Sequence, residues 1–141
     1  METGREVLIE ENEKSEIYTG FFPSTCGEEN IYFKRRVPKY IQEDAIHLII
    51  VHDAGEYHGR HFHLSDFLNN KSCSKFITTW IDLKGHGLSS GTRGHISDLS
   101  EYSNDLAYYV KKYNSVFEKY KTCLIGHGLG ALVSLNLFRA H

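Results

Sequence analysis

The sequence predicts an α/β fold in which antiparallel strands precede a parallel sheet flanked by helices. Three apolar runs, Ile46–Val51, Phe76–Ile81 and residues 123–125, are too short for helices, and each ends in a turn rich in glycine or histidine. Helical patterns separate these runs, and this alternation is typical of a parallel sheet covered on both faces. We therefore expect a single domain over residues 1–141, with a β-rich portion at 1–44 and a βαβαβα portion at 45–141.

The β-rich portion contains three short runs of β-branched and aromatic residues, at 7–9, 17–22 and 31–37. Clusters of turn-forming residues divide them, as expected for antiparallel hairpins. The third run includes the basic sequence Lys34-Arg35-Arg36, which we expect to lie on a solvated strand or turn face.

One long helix is predicted between the second and third buried strands. Asp98 and Glu101 have the spacing of a capping box, and apolar residues recur at steps of one, three and four from Leu99 to Tyr120. Weaker patterns predict helices over residues 62–68 and 129–138.

Composition excludes several classes of function. The 16 basic and 18 acidic residues are mixed along the chain, giving a net charge of −2, so no basic surface for nucleic acid or anionic lipid is expected. No run approaches the roughly 18 apolar residues that cross a bilayer, so no transmembrane segment is predicted. Cys26, Cys73 and Cys123 form no CxxC pair, and the N-terminus lacks a signal-peptide pattern, which predicts a reducing cytoplasm. Cys123 is expected to be a buried strand residue.

The turn Gly126-His127-Gly128-Leu129-Gly130 lies between a predicted strand and a predicted helix. A G-x-S-x-G nucleophile elbow belongs at such a position, and Gly128 stands where its serine would be. The flanking glycines fit an elbow because backbone meets backbone there and leaves no room for a β-carbon. We expect positive φ at Gly128.

Two further turns carry motifs at the carboxyl ends of strands, where ligands bind in open parallel sheets. They are H52-D53-A54-G55-E56 and D82-L83-K84-G85-H86-G87. With the elbow, they resemble, in order and spacing, the monoacylglycerol lipase and lysophospholipase group of α/β-hydrolases, which includes serine aminopeptidase-type domains. The resemblance covers roughly residues 27 to 141 and implies the N-terminal half of the fold, a truncated α/β-hydrolase.

The resemblance implies a serine esterase that cleaves acyl esters of glycerol-type lipids through a Ser-Asp-His triad. Gly128 falls on the nucleophile, and Ala54 and Leu129 fall on the positions whose backbone N–H groups form the oxyanion hole. Asp53 replaces a glycine and Tyr57 a histidine of the family pattern. The triad acid and base, which follow the serine in this fold, have no counterpart in the chain. The remaining motif positions are His52, Gly55, Glu56, Asp82, Gly85, His86 and Gly87.

We therefore predict an inactive hydrolase-like domain without a cofactor. The alternative is an interaction module or half-enzyme that pairs through an exposed sheet edge with itself or with a separately encoded C-terminal half. An active lipase inactivated by a change at Gly128 alone is disfavoured, since Asp53 also departs from the pattern. His52, His86 and His127 suggest a metal site, but hydrogen bonding within the turns explains them better, and no metal is predicted. No single helix or strand face presents His58, His61 and His63 together.

Overall fold

Six strands and three helices make up the computed structural model, which describes residues 4–140; residues 1–3 and 141 of the predicted domain lie outside the described part. The strands are β1 (Val7–Glu11), β2 (Ser15–Pro23), β3 (Asn30–Pro38), β4 (Ile46–Val51), β5 (Phe76–Ile81) and β6 (Lys121–Gly126). The helices are α1 (Phe62–Ser72), α2 (Leu99–Lys112) and α3 (Leu129–Ala140), with 3-10 turns at His58–His61, Cys73–Lys75 and Ser115–Phe117. No helix within residues 4–140 is long and apolar enough to cross a membrane.

The strands form one mixed sheet in the order β1-β2-β3-β5-β4-β6. The pairs β1–β2, β2–β3 and β3–β5 are antiparallel, whereas β4 runs parallel to both β5 and β6. The predicted α/β class, with antiparallel strands ahead of parallel ones, is confirmed. The carboxyl ends of β4, β5 and β6 consequently meet at one edge of the sheet.

Helices cover the two faces of the sheet unequally. On one face, α2 and α3 pack on a core that includes Phe22, Phe33, Ile49, Tyr109 and Val133. On the other face, Phe62 of α1 stacks on Trp80 of β5 with ring centroids 4.8 Å apart. His58, in the 3-10 turn ahead of α1, donates its N–H to Asp82 at 2.6 Å and so links the turn after β4 to the end of β5.

The prediction that Lys34-Arg35-Arg36 lies on a solvated face is wrong for both arginines. Arg35 is 2% exposed and Arg36 is 7% exposed, because β3 is an inner strand whose two faces are both covered. Arg35 donates hydrogen bonds to Glu6 and to the Tyr109 hydroxyl, and Arg36 donates to Ser65 Oγ at 2.9 Å. Such partners make buried cations tolerable.

The predicted long helix stops earlier than its apolar pattern. α2 ends at Lys112, and Asn114 adopts φ −88° and ψ −2° ahead of a separate 3-10 turn. Val116, on the predicted apolar face, is 75% exposed, whereas Phe117 and Tyr120 join Ala45 and Ile77 in a second small core. Packing on this second core, rather than continuation of α2, accounts for the apolar residues after 112.

β6 is the last strand of the sheet and pairs only with β4 among the described residues. Lys121, Thr122 and Cys123 are exposed, so the prediction of a buried Cys123 is wrong. Beside this edge, α3 exposes the large apolar side chains of Leu132, Leu135 and Phe138. The molecule therefore has an uncovered border made of a strand edge and an apolar helix face.

Candidate active site

The turn between β6 and α3 has the geometry of a nucleophile elbow. Gly128 lies at its apex with φ +52°, which confirms the positive φ predicted there. A β-carbon at Gly126 would collide with the backbone of Ala131, and one at Gly130 would collide with the Val51 carbonyl. Both flanking glycines are thus required by close backbone approach, as the sequence indicates.

The two predicted oxyanion-hole amides are already occupied by an anion from the chain itself. Asp53 Oδ1 accepts hydrogen bonds from the N–H groups of Ala54 and Leu129, each at 2.7 Å. The hydrogen bond from Leu129, and next that from Ala54, lower the pKa of the Asp53 carboxyl, which keeps it ionised. The Asp53 carboxylate therefore satisfies both amides at the predicted oxyanion-hole positions.

Gly128 and Asp53 are sterically linked. A β-carbon built at position 128 would overlap the Asp53 carboxyl group, closer than real β-carbons approach any atom. A serine at 128 is therefore incompatible with Asp53 in its present rotamer. The two departures from the family pattern form one local arrangement.

His52 links the turn after β4 to the turn after β5 through two hydrogen bonds. Its side chain is 1% exposed, its Nε2 accepts from Leu83 N at 2.9 Å, and its Nδ1 donates to the Asp53 carbonyl at 2.7 Å. Burial lowers the pKa of His52, so the ring is neutral and both nitrogens are used. The ring of His86 lies 5.1 Å from that of His52, and its Nδ1 is 3.1 Å from the Lys84 carbonyl.

The turn after β5 is organised around the buried carboxylate of Asp82. Asp82 Oδ1 accepts from His58 N at 2.6 Å, whereas Asp82 Oδ2 accepts from Leu88 N at 2.9 Å and lies 2.9 Å from His58 Nδ1. Burial alone would raise the pKa of Asp82, but these hydrogen bonds outweigh it and hold the pKa below its usual value. Gly87 has φ +48° and lies against this carboxylate, where a β-carbon would clash, and Gly85 has φ +74°.

A third group of side chains lies beside the elbow. Glu56 Oε2 is 2.9 Å from His61 Nε2 and 3.2 Å from His127 Nδ1, and it accepts from Asp53 N at 3.1 Å. The bond from His61, followed by those from Asp53 N and His127, lowers the pKa of Glu56 to about 2. Tyr57, at the family's histidine position, is largely exposed.

The structure groups the histidines differently from the sequence-based alternatives. His52 and His86 are neighbours, but His127 contacts His61 instead, with ring centroids 5.4 Å apart. His58 binds Asp82, so the local run 58–63 is shared between two carboxylates. The grouping of His61 with His127 was not predicted, because only the faces of single helices or strands were considered. The sequence signal for it is the position of His61 five residues after Glu56.

These turns border an open cleft of about 510 Å³ at the carboxyl ends of the parallel strands. Its lining includes Ala54, Glu56, His86, Tyr102 and Leu129, so both predicted oxyanion-hole positions lie in its wall. The predicted motif positions on all three turns thus meet at one place in the fold.

A mixed sheet with a glycine-flanked elbow at the end of a parallel strand defines an α/β-hydrolase. Residues 42–141 match the family described as serine aminopeptidase, S33, and the chain belongs to this family. Among solved structures, a thermostable carboxyl esterase from Bacillus coagulans superposes with a TM-score of 0.71 at 17% identity, over 86% of this chain and 39% of that one. Est1E from Butyrivibrio proteoclasticus superposes with a TM-score of 0.64 at 21% identity, over 79% of this chain and 44% of its own.

Relatives of this chain include a phospholipase and monoglyceride lipases. Phospholipase YtpA of Bacillus subtilis is 31% identical over 63% of this chain and 32% of its own length. A monoglyceride lipase homolog of Monkeypox virus is 31% identical over 66% of this chain and 35% of its own length. Monoglyceride lipase of Rattus norvegicus is 30% identical over 62% of this chain and 28% of its own length. The chain spans about a third of the length of these relatives, and the class that it shares with them is a lipase-like α/β-hydrolase domain.

Proposed function

We propose that this chain is a catalytically inactive hydrolase domain derived from an enzyme that cleaves acyl esters of glycerol-type lipids. The observation that carries the proposal is the Asp53 carboxylate seated on the Ala54 and Leu129 amides beside a residue without a hydroxyl, Gly128. The names of the lipase relatives support the ancestral substrate class.

Each part of the arrangement removes a separate contribution to catalysis. Loss of a triad nucleophile costs on the order of 10⁶ in kcat, and about 10³–10⁴ of rate enhancement over water normally survives through the oxyanion hole and substrate binding. Here the Asp53 carboxylate fills the hole and repels the negative charge that develops on a reacting carbonyl oxygen. We therefore expect rates close to those of the uncatalysed reaction.

The test is hydrolysis of p-nitrophenyl butyrate by three proteins: the natural chain, Gly128→Ser, and Asp53→Gly/Gly128→Ser. We expect the natural chain and Gly128→Ser to release p-nitrophenol at the rate of a heat-denatured control, because both proteins keep the Asp53 carboxylate beside the Ala54 and Leu129 amides. Turnover by the natural chain would overturn the proposal of inactivity. Turnover by the double variant alone would show that the residues at positions 53 and 128 fully account for the inactivity of the natural chain.

A second candidate function is polypeptide binding at the border formed by β6 and α3. The unpaired strand edge offers backbone donors and acceptors, and Leu132, Leu135 and Phe138 add apolar surface beside it. The proposed occupant is a second copy of the chain or a separately encoded C-terminal half of the same fold. Size-exclusion chromatography with light scattering tests the first; a clean monomer at micromolar concentration would exclude self-pairing and leave co-expression with a C-terminal half as the test of the second.

We further propose a reducing compartment, the cytoplasm, for this chain. Cys26 and Cys123 are free thiols at the surface, and exposed free thiols persist where disulfides are kept reduced. Fractionation of the source cells with an antibody to the chain tests this placement, and recovery from an oxidising compartment would contradict it.

A further inference from the structure

Three potential metal ligands from three separate segments converge beside the elbow. Glu56 belongs to the turn after β4, His61 lies where the 3-10 turn leads into α1, and His127 belongs to the elbow itself. The ligand atoms of all three lie within 4.8 Å of one another. Residues far apart in sequence are thus brought to one point by the same fold that builds the elbow.

The distances between these atoms suit a small tetrahedral ion. Glu56 Oε2 is 2.9 Å from His61 Nε2 and 3.2 Å from His127 Nδ1. Bonds of roughly 2.0–2.2 Å from Zn²⁺ to nitrogen and oxygen in a tetrahedron separate neighbouring ligand atoms by about 3.3–3.6 Å. The remaining pair, His61 and His127, lies within 4.8 Å. Modest movements of the three side chains would therefore place their ligand atoms around one ion.

The surroundings of Glu56 favour a cation. The amide of Asp53 donates to Glu56 Oε2 at 3.1 Å, and this hydrogen bond holds the carboxylate in place, as hydrogen bonds to metal ligands commonly do. The competing cation is Arg60, whose Nε lies 3.7 Å from Glu56 Oε1, but its side chain is 65% exposed and free to turn away.

We propose that Glu56, His61 and His127 form a binding site for a divalent transition-metal ion of the Zn²⁺ type. Two imidazoles and one carboxylate are the donor set that such ions accept, and three protein ligands leave a position open to water. His127 is 59% exposed, so water reaches that position directly. The bound ion would tie the turn after β4, the start of α1 and the elbow together. The proposal does not depend on whether the domain is catalytically active.

The experiment is a titration of untagged Cys26→Ser/Cys123→Ser protein with Zn²⁺ against a chromophoric zinc indicator. The cysteine substitutions remove the exposed thiols of Cys26 and Cys123, which bind zinc without belonging to the site. We expect a single ion to bind per chain, with the affinity falling at least about tenfold in His61→Ala and in Glu56→Gln. His63→Ala is the matched control, because His63 is exposed in the same stretch, and its affinity should equal that of the parent.

Zinc should also raise Tm, by on the order of 10 °C at a hundredfold excess over Kd, in the parent and in His63→Ala but not in His61→Ala. Equal affinity in His61→Ala and His63→Ala would overturn the proposal. If a ligand variant does not fold, NMR of the parent decides the question. Zinc must then perturb the ring signals of His61 and His127 and leave those of His63 and His95 unchanged; any other pattern refutes the site.

Discussion

At position 128 the backbone and the neighbouring side chain both select glycine. A φ of +52° is strained for residues with a β-carbon, at a cost of about 1–3 kcal/mol. The Asp53 carboxyl group occupies the volume that such a β-carbon requires. The first effect is a property of the turn, whereas the second depends on residue 53 and can be removed by substitution.

We expect Gly128→Ser to lower the free energy of unfolding by about 2–4 kcal/mol, because backbone strain adds to displacement of Asp53 from its two amides. In an Asp53→Gly background the same substitution should cost about 1–2 kcal/mol less, because the clash is gone. Urea unfolding of the four proteins in the cycle measures the coupling. Additive costs would show that Asp53 moves aside freely. Gly128→Ala is the control without a hydroxyl and should behave as serine does.

Because of His47, the stability of the fold depends on pH in mildly acidic solution. Its ring is buried, with Nε2 2.7 Å from Thr79 Oγ1, and burial, followed by the charge of Arg35, lowers its pKa from 6.5 to about 3. His47 therefore binds a proton near pH 6.5 in the unfolded chain, but only near pH 3 in the folded chain. Stability from this residue is complete above pH 6.5 and is lost as the pH falls from there toward 3.

Between pH 7 and pH 5 we expect His47 to reduce the free energy of unfolding by roughly 2 kcal/mol. His52, whose pKa burial also lowers, acts in the same direction. Urea unfolding near both pH values measures the total. His47→Gln should remove the share of His47, whereas His63→Gln, at an exposed position, should leave the pH dependence intact. An unchanged slope in His47→Gln would contradict the assignment.

The elements show where sequence patterns are sufficient. β4 and β5 coincide with their predicted limits because each is an apolar run bounded by polar or glycine-rich turns. β6 extends to Lys121 and Thr122, whose polar side chains are tolerated because they lie on an edge strand. The start of α2 follows from Asp98, whose side chain accepts from Ser100 N at 2.8 Å. The end of α2 could not be predicted in this way, because the apolar spacing continues through residues that pack on a different core.

This boundary can be tested with two neighbouring substitutions. Val116→Ala should change the free energy of unfolding by less than about 0.5 kcal/mol, because its side chain is 75% exposed. Phe117→Ala should cost about 3–5 kcal/mol, because Phe117 is buried against Arg35 and His47. Thermal or urea unfolding of both variants is sufficient. Similar losses at the two positions would mean that α2 continues through this segment with Val116 on its buried face.

Over the whole molecule, the sequence motifs predicted where the candidate site lies in the fold, but not the side-chain contacts within it. The carboxyl ends of three parallel strands meet by topology, so His52, Asp82 and Gly128 could be grouped from the sequence. The seating of Asp53 on both amides could not, because it depends on a side-chain rotamer. Arg35 shows the same limit, since burial of a basic residue depends on which strand is internal.

The β6–α3 border leads to a prediction for the whole molecule. If it binds a second copy, Leu135→Glu should shift the protein toward monomer in light scattering, because Leu135 is 68% exposed beside the strand edge. Its free energy of unfolding should stay within about 0.5 kcal/mol of the parent. Phe67→Glu, at a 57% exposed position on α1, is the control and should not affect association. Equal effects of both substitutions would indicate nonspecific solubilisation.

The overlap between the Asp53 carboxyl group and the space for a side chain at 128 also constrains the order in which the two positions can change. Glycine at 128 opens the volume, after which an aspartate at 53 gains two amide donors. A later return to serine at 128 alone meets a seated carboxylate, and a return to glycine at 53 alone restores no nucleophile. Neither single substitution gives a serine at 128 with both amides free, so positions 53 and 128 must change together for the family pattern to return.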